Sequence, residues 1–418
     1  MIYLDDQLLT QKDFNSLYTA FEINTILANS DNIRFTICTT DTAVLIALCL
    51  YMKNKGGSAF PLPAGTPRPA ALKRAIRSGS HYLLYGNSLD DVLNNIEKVC
   101  SSANDTESVL IQMSSGTTGT PKVISRSWAD INEEVCSYVA HFSEANDMTP
   151  VIACPISHSY GLICGLMVAL ERGVVPVVIQ NLNPKYIIKK VRQHKNSILY
   201  SSPALIGTIS MLIDKSEPVH AIMSSGTLLQ PKWFDMVKTK SKFLFQQYGC
   251  SETGCISIGK NIDNYDEIGL PLPYLNVSSG SNPDQAEEIV VTNSRDEVIK
   301  TRDIGYFDDT GSLHFISRID DMINVAGLNV YPSEVEDVIL ELADIQDAVV
   351  FKSQQASGSD QVCLQYVSSE VIKASVIRKW CRQNLASHQI PMVIQRVDKI
   401  ARKPNGKVSR KELAESLR

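Results

Sequence analysis

The sequence predicts an α/β fold: a large N-terminal domain of mainly parallel, helix-flanked sheets with a small barrel-like subdomain, followed by a small mobile C-terminal α/β domain. Two observations carry this expectation. Up to about residue 250, short apolar runs bounded by Pro, Gly, Ser or Asn alternate with helical stretches, the pattern of parallel strands joined by crossover helices. Beyond about residue 262 the runs shorten and turn residues multiply, which marks antiparallel strands.

The first unit is a strand at Arg34-Phe-Thr-Ile-Cys38, then a helix that starts after Asp41 and is apolar nearly all round, hence buried. Further strands are expected at Val151-Ile-Ala-Cys154, at 174–179, and at Ser197-Ile-Leu-Tyr200, Ala221-Ile-Met223 and Phe243-Leu-Phe245. Helical stretches such as 184–194 and 231–239 follow them. Pro271, Pro273, Asn276 and Asp308-Asp-Thr-Gly311 punctuate the segment read as the barrel-like subdomain. After Asp320 a final unit has its own strand and helix pattern and the size of a small domain. The expected division is 1–319 and 320–418.

A length of 418 residues with 44% apolar content is that of a globular chain of two or three domains. The net charge of −5 leaves no broad basic surface for nucleic acid. The longest apolar stretch, 43–52, falls short of the roughly 20 residues that span a bilayer, and the N-terminus lacks the basic region and apolar core of a signal peptide. A cytoplasmic setting is the expectation. Ten scattered cysteines, with no Cys-x-x-Cys pair and no zinc-type spacing, argue against a disulfide scaffold or structural metal; Cys250 and Cys255 stand out because they flank Glu252.

The most informative string is Ser114-Ser-Gly-Thr-Thr-Gly-Thr-Pro-Lys122, directly after Val109-Leu-Ile-Gln-Met113. Gly116 and Gly119 let backbone N–H groups close on an anion, while the hydroxyls of Ser114, Ser115, Thr117, Thr118 and Thr120, with Lys122, add donors and positive charge. A nucleotide triphosphate fits this chemistry. A Walker A loop does not, because Pro121 stands where that loop needs its second glycine. Residues 254–260 do satisfy Gly-x4-Gly-Lys, but Asn261 follows and offers no hydroxyl to Mg2+. A P-loop phosphotransferase is therefore a remote alternative.

Further strings follow in order: Tyr248-Gly-Cys-Ser-Glu-Thr-Gly254, Thr301-Arg-Asp-Ile-Gly-Tyr306, Ser317-Arg-Ile-Asp-Asp321, Gly327-Leu-Asn-Val-Tyr-Pro332 and Lys403-Pro-Asn-Gly-Lys-Val-Ser-Arg410. With Leu9-Thr-Gln-Lys-Asp-Phe14 and the proline-rich segment near 56–73, they resemble the AMP-forming acyl-acid ligases, the superfamily of acyl-CoA synthetases, firefly luciferase and nonribosomal adenylation domains. Chance matches would not keep both spacing and order. The chain is shorter than most relatives before Ser114, and the resemblance implies a free-standing ligase with a trimmed N-terminal subdomain.

That resemblance implies activation of a carboxylic acid by ATP and Mg2+ as acyl-AMP, with pyrophosphate release, then transfer to a pantetheine thiol of CoA or an acyl carrier protein. It places Glu252 on the metal, Thr253 at the α-phosphate, Ser224, Ser225, Gly226 and Tyr248 around adenine, and Asp303 and Arg318 at the ribose. Lys407 becomes the catalytic lysine on a mobile loop, Asp320 the hinge, and Gly327 part of the pantetheine tunnel. The segment Pro155-Ile-Ser-His-Ser-Tyr-Gly-Leu162 resembles the one lining the acyl pocket, with His158 at the carboxylate end and Ser159 and Gly249 in the wall. Amino-acid activators carry an aspartate where Ser159 stands and dihydroxybenzoate activators an asparagine, and an unpaired buried ammonium is expensive. An aryl or medium aliphatic acid is expected, with an amino-acid:carrier-protein ligase as the alternative. Arg402, Lys403, Lys407, Arg410 and Lys411 form a basic cluster that could steer an acidic carrier. A degenerate nucleotide-binding protein is disfavoured because Lys122, Glu252, Asp303, Arg318 and Lys407 are all present.

Overall fold

The computed structural model describes residues 1–99, 107–114, 122–325, 328–354, 360–403 and 408–417. Among them the largest element is a 13-stranded sheet. Its centre is parallel: Ser241–Cys250, Val219–Ser224, Ser197–Ser201, Thr149–Ile152, Val177–Val178 and Ile2–Leu4 lie side by side in that order. The helices Pro184–Gln193, Pro203–Leu212 and Pro231–Lys238 connect these strands, each opening with proline in its first turn, where the missing N–H is harmless.

A second sheet of six strands holds the chain's early part, ordered Ile96–Lys98, Tyr82–Gly86, Arg34–Thr39, Ser58–Pro61, Val109–Ser114 and Lys122–Ser127. The expected helix after Asp41 runs Thr42–Lys55, its first turn capped by the Asp41 carboxylate accepting Val44 N–H at 3.1 Å. Gly56, at φ 73°, closes it. Its residues from Val44 to Cys49 are all buried, as the all-round apolar pattern requires.

The antiparallel segment expected after 262 is present as Glu267–Pro271, Asn276–Ser278, Glu287–Thr292, Val298–Phe307 and Leu313–Arg318. These strands share one core of Ile256, Ile268, Leu275, Ile289, Val291 and Leu313, which gives the unit its barrel-like character. Its hydrogen bonding is open, however, and continues into the large sheet through Glu267–Pro271 against Gly254–Lys260.

Several boundaries differ from the sequence expectation. The run 174–179 yields only Val177–Val178 as strand, because Pro176 has no N–H to give a ladder. The run Phe243–Phe245 extends to Ser241–Cys250, through two glutamines that apolar counting excludes. Gln246 Nε2 donates to the Tyr265 and Glu267 carbonyls at 2.9 and 2.8 Å, leaving its Oε1 without a partner among the described residues, and Gln247 Oε1 accepts Tyr138 Oη–H at 2.9 Å. The segment at Leu9-Thr10 proves to be a helix start: Thr10 caps Gln11–Ile23 in a reciprocal box with Asp13.

From Ile323 onward the chain builds a separate core of Val335, Ile339, Val350, Leu364, Tyr366 and Ile377. It lies between a three-stranded sheet, Ile345–Gln354, Asp360–Ser368 and Val393–Arg396, and the helices Pro332–Leu340 and Ala374–Asn384. Among the described residues few polar contacts join this unit to the rest. Ser333 Oγ donates to the Ile316 carbonyl at 2.8 Å, Gln230 Nε2 donates to Asp347 at 3.2 Å, and the Tyr265 hydroxyl donates to Asp337.

Asp337 sits in that contact with burial, and then nearby Glu336, Asp266 and Glu341, pushing its carboxyl up to about 6 against the hydrogen bond from Tyr265. A carboxyl that keeps its proton until about pH 6 when folded, and releases it near 4 when unfolded, favours the folded state most below about pH 4 and loses that contribution as pH rises through 6. Asp337→Asn should therefore raise the melting temperature relative to wild type more at pH 7.5 than at pH 4.5. A difference independent of pH would contradict this assignment.

Candidate functional site

Three of the segments singled out in the sequence emerge side by side at the carboxyl ends of the parallel strands, where open α/β sheets bind ligands. Ser224 ends the strand Val219–Ser224, in register with Ser201 and Gln246 on its neighbours. Ser225 and Gly226 follow, Gly226 at φ 99° with open space where a side chain would stand. Ser224 is fully buried and its hydroxyl has no partner among the described residues.

The Tyr248 hydroxyl, two residues beyond Gln246, donates to Asp303 Oδ2 at 2.7 Å. Burial, and then the charge of Asp303, pushes this phenol far above its ordinary value, so it is a donor at neutral pH. Arg318 Nε lies 3.3 Å from Asp303 Oδ1, the two residues being direct partners across the strands Val298–Phe307 and Leu313–Arg318. Tyr248, Asp303 and Arg318 are thus brought together from three strands. The neighbouring Arg302, in a left-handed conformation at φ 63°, points its guanidinium the other way and pairs with Asp320, Nε to Oδ2 at 3.1 Å. Successive strand residues face opposite sides, so one dipeptide serves both Tyr248 and the connection to the C-terminal unit.

Ser251, Glu252 and Thr253 form the tip of a hairpin closed by Cys250 opposite Gly254. Glu252 is exposed, and no ion pair or hydrogen bond to its carboxylate occurs among the described residues. Thr253 is buried, its hydroxyl 3.2 Å from Cys250 Sγ and donating to the Gly254 carbonyl at 3.4 Å. Gly249 is exposed and has no room for a side chain, since one would strike the Gly254 carbonyl. Burial pushes the Cys250 thiol up to about 11 and raises Cys255 as well, so both are unreactive packing groups.

His158 is exposed and Ser159 half-buried, on the turn leading into a π-helix at Tyr160–Met167. The Tyr160 hydroxyl donates to the Met223 carbonyl at 2.6 Å, which fixes this segment against the strand that ends at Ser224. The wide helix is a feature that sequence periodicity misses, and such turns recur at functional sites.

Across from these elements stands the hairpin Val109–Ser114 and Lys122–Ser127, in which Ser114 pairs with Lys122. Lys122 is exposed at its end. Ser115, Gly116, Thr117, Thr118, Gly119 and Thr120 lie outside the described residues, as do Gly327 and Lys407. The strand that follows the loop is the second argument against a Walker A motif, which leads into a helix. The alternative at 254–260 fails too: this segment is the strand Gly254–Lys260, paired on both sides, and the Lys260 ammonium bonds the His141 carbonyl at 2.6 Å. A paired strand offers no nest of N–H groups to a phosphate.

Two residues that the motifs did not flag lie beneath the site. Arg126 and Glu134 are 6% and 1% exposed and form an ion pair of 2.6 Å, and Glu134 Oε1 accepts the Cys255 N–H at 2.8 Å. The visible signal was a glutamate at helical spacing with Trp128, Ile131, Val135 and Tyr138, all buried on the helix Trp128–His141. Two members of the basic cluster are neutralised by carboxylates. Arg402 pairs with Asp347 through two bonds of 2.9 and 2.8 Å, and Arg410 is held by Asp321 and Glu336 at 2.8 Å each. Neither is available to steer a partner.

Among the described residues no group of three or more His, Cys, Asp or Glu side chains could hold a metal, and no helix is long and apolar enough to cross a membrane. A single hydrated carboxylate such as Glu252 suits Mg2+, which keeps waters and substrate phosphates as its other ligands.

The AMP-binding enzyme family matches residues 15–279. The 3,4-dihydroxybenzoate–[aryl-carrier protein] ligase of Bacillus anthracis is 36% identical over 421 residues, covering 99% of this chain and 98% of the relative. The 2-succinylbenzoate–CoA ligase of Bacillus licheniformis is 23% identical, with coverage of 78% and 74%. Among solved structures, O-succinylbenzoate coenzyme A synthetase from Bacillus subtilis in complex with AMP superposes with a TM-score of 0.84 at 19% identity, covering 99% of this chain and 95% of that one. ATP-bound MatB from Rhodopseudomonas palustris gives 0.80 at 17%, with coverage of 96% and 92%.

The turn at Gly254 generates a stability prediction. Gly254 and Gly173 both have positive φ, 80° and 71°, but a side chain at Gly173 meets nothing, whereas one at Gly254 would strike the Arg126–Glu134 pair. Gly173→Ala should cost about 1 kcal/mol from the left-handed backbone alone. Gly254→Ala should cost more than about 2 kcal/mol, measured by denaturant unfolding. Equal costs would mean that the buried pair yields freely.

Proposed function

This chain belongs to the AMP-binding enzyme family, and from that premise we propose that it activates a small hydroxylated aryl acid and passes it to an aryl carrier protein. The chain is an AMP-forming acid–thiol ligase: ATP and a carboxylic acid give acyl-AMP and pyrophosphate, and a thiol then displaces AMP. The choice of acid and acceptor rests on one observation, identity of 36% across essentially the whole of an aryl-carrier protein ligase, against 22–25% over about three quarters of the chain for the CoA ligases. Ser159, a neutral hydroxyl in the acyl segment, supports an acid without an ammonium. Consumption of ATP supports a cytoplasmic setting.

In this reading 1–319 binds both substrates and 320–418 moves between the half-reactions. Asp303 accepts the ribose hydroxyls, its orientation fixed by Tyr248 and its charge balanced by Arg318. Ser224, Ser225, Gly226 and the Tyr248 ring enclose adenine. Lys122 and residues 115–120 hold the phosphates, while Glu252 holds Mg2+, which when bound supplies positive charge to the phosphate oxygens. Thr253 reaches the α-phosphate after a χ1 rotation away from the Gly254 carbonyl. His158 stands at the carboxylate end of the acid, beside Ser159 and Gly249. Lys407 neutralises charge between the carboxylate and α-phosphate in the first step. Rotation about Asp320, which requires release from Arg302, then withdraws Lys407 and brings Gly327 to line the thiol's path.

A panel of hydroxybenzoates, medium aliphatic acids and amino acids in a pyrophosphate-release assay tests the substrate class, and aryl acids should dominate. Lys407→Ala should abolish pyrophosphate release yet transfer presynthesised acyl-AMP to thiol at a near wild-type rate. Release strongest with an amino acid, or equal loss of both steps in the variant, would contradict the proposal.

A further inference from the structure

The Arg126–Glu134 pair joins two pieces of the proposed site that no backbone hydrogen bond connects among the described residues. Arg126 belongs to the strand Lys122–Ser127, which leaves the phosphate-loop segment at Lys122. Glu134 belongs to the next helix, and its second oxygen accepts Cys255 N–H at the root of the Glu252 hairpin. Gly254 packs directly on both side chains. The same polar layer extends to Cys164 Sγ, 3.9 Å from Glu134, and through it to Gln247 and Tyr138.

Burying an arginine and a glutamate together is not a route to stability, since apolar side chains of equal volume avoid the desolvation penalty. Arg126 Nη1 even lacks a hydrogen-bond partner among the described residues. Apolar replacements could hold the helix to the strand, but they could not accept the Cys255 N–H in one fixed direction. We propose that Arg126 and Glu134 are positioning residues that set the Glu252–Thr253 turn relative to the phosphate-loop hairpin, so that one carboxylate and the triphosphate meet a single Mg2+ ion. Glu134 orients the turn, and Arg126 orients Glu134. This rests on the functional reading above.

Calorimetric titration of ATP into the full chain, once with Mg2+ and once with EDTA, separates this role from a merely structural one. Glu134→Gln should cut the Mg2+-dependent gain in ATP affinity by about tenfold or more, the size of a loss from outer-sphere support, while ATP affinity in EDTA stays near wild type. In a Glu252→Gln background the same substitution should add nothing. Arg126→Lys should retain more of the gain than Arg126→Met, and circular dichroism melting identifies any variant that has not folded. An unchanged Mg2+ gain, equal losses with and without Mg2+, or additivity with Glu252→Gln would overturn the proposal. A wild-type chain that binds no ATP at all would overturn the functional reading, and the positioning role with it.

Discussion

A buried ion pair, Arg126 with Glu134 at 2.6 Å, is the constraint on which the arrangement of the site depends. The two large sheets carry different segments of the proposed site: the six-stranded one ends in the strands Val109–Ser114 and Lys122–Ser127, and the 13-stranded one contains the Glu252 hairpin. Backbone hydrogen bonds order each sheet internally. Where the two meet, alignment falls to side chains, and this pair with its Cys255 N–H contact spans the gap. Packing reinforces it. Trp128 Nε1 donates to the Gly57 carbonyl at 3.0 Å, and Arg295 grips Glu107 through two 3.0 Å bonds, so the hairpin is fixed on its other sides as well.

The second organising feature is the dipeptide Arg302-Asp303. Asp303 faces Tyr248 and Arg302 faces Asp320, so the two side chains leave the strand Val298–Phe307 in opposite directions where its register shifts against Glu287–Thr292. Arg302 accepts a left-handed backbone that favours glycine, and its bond with Asp320, together with the bond from its N–H to Glu288 at 2.9 Å, holds it there. Among the described residues the C-terminal unit is otherwise joined by few polar contacts, including those of Ser333, Asp347 and Asp337. A small set of bonds is compatible with the rotation proposed for this unit.

Much of this was legible in the amino-acid string because local rules were decisive there. Asp41 before an apolar run and Gly56 after it mark a buried helix, and motif order alone singled out Tyr248, Asp303 and Arg318, which the fold brings into contact. Other parts follow from partners far away in sequence. Gln246 and Gln247 look like the end of a strand until their amides find Tyr265, Glu267, Tyr138 and Cys164. The Tyr160–Met167 π-helix has no periodic signature. Arg402 and Arg410 read as a free basic surface because Asp347, Asp321 and Glu336, which occupy them, lie dozens of residues upstream. Glu134 was visible as an acid on an apolar stripe, but only the fold shows why it is tolerated.

The path of the carboxylate oxygen tests the account most directly. Turnover of an acid labelled with oxygen-18 in its carboxyl group, followed by mass spectrometry of the nucleotide and phosphate products, reports which phosphorus the carboxylate attacks. Attack at the α-phosphorus and displacement by thiol must leave one labelled oxygen in AMP, with pyrophosphate unlabelled. Label in inorganic phosphate alongside ADP, or in pyrophosphate, would contradict adenylate formation and the assignment of this site.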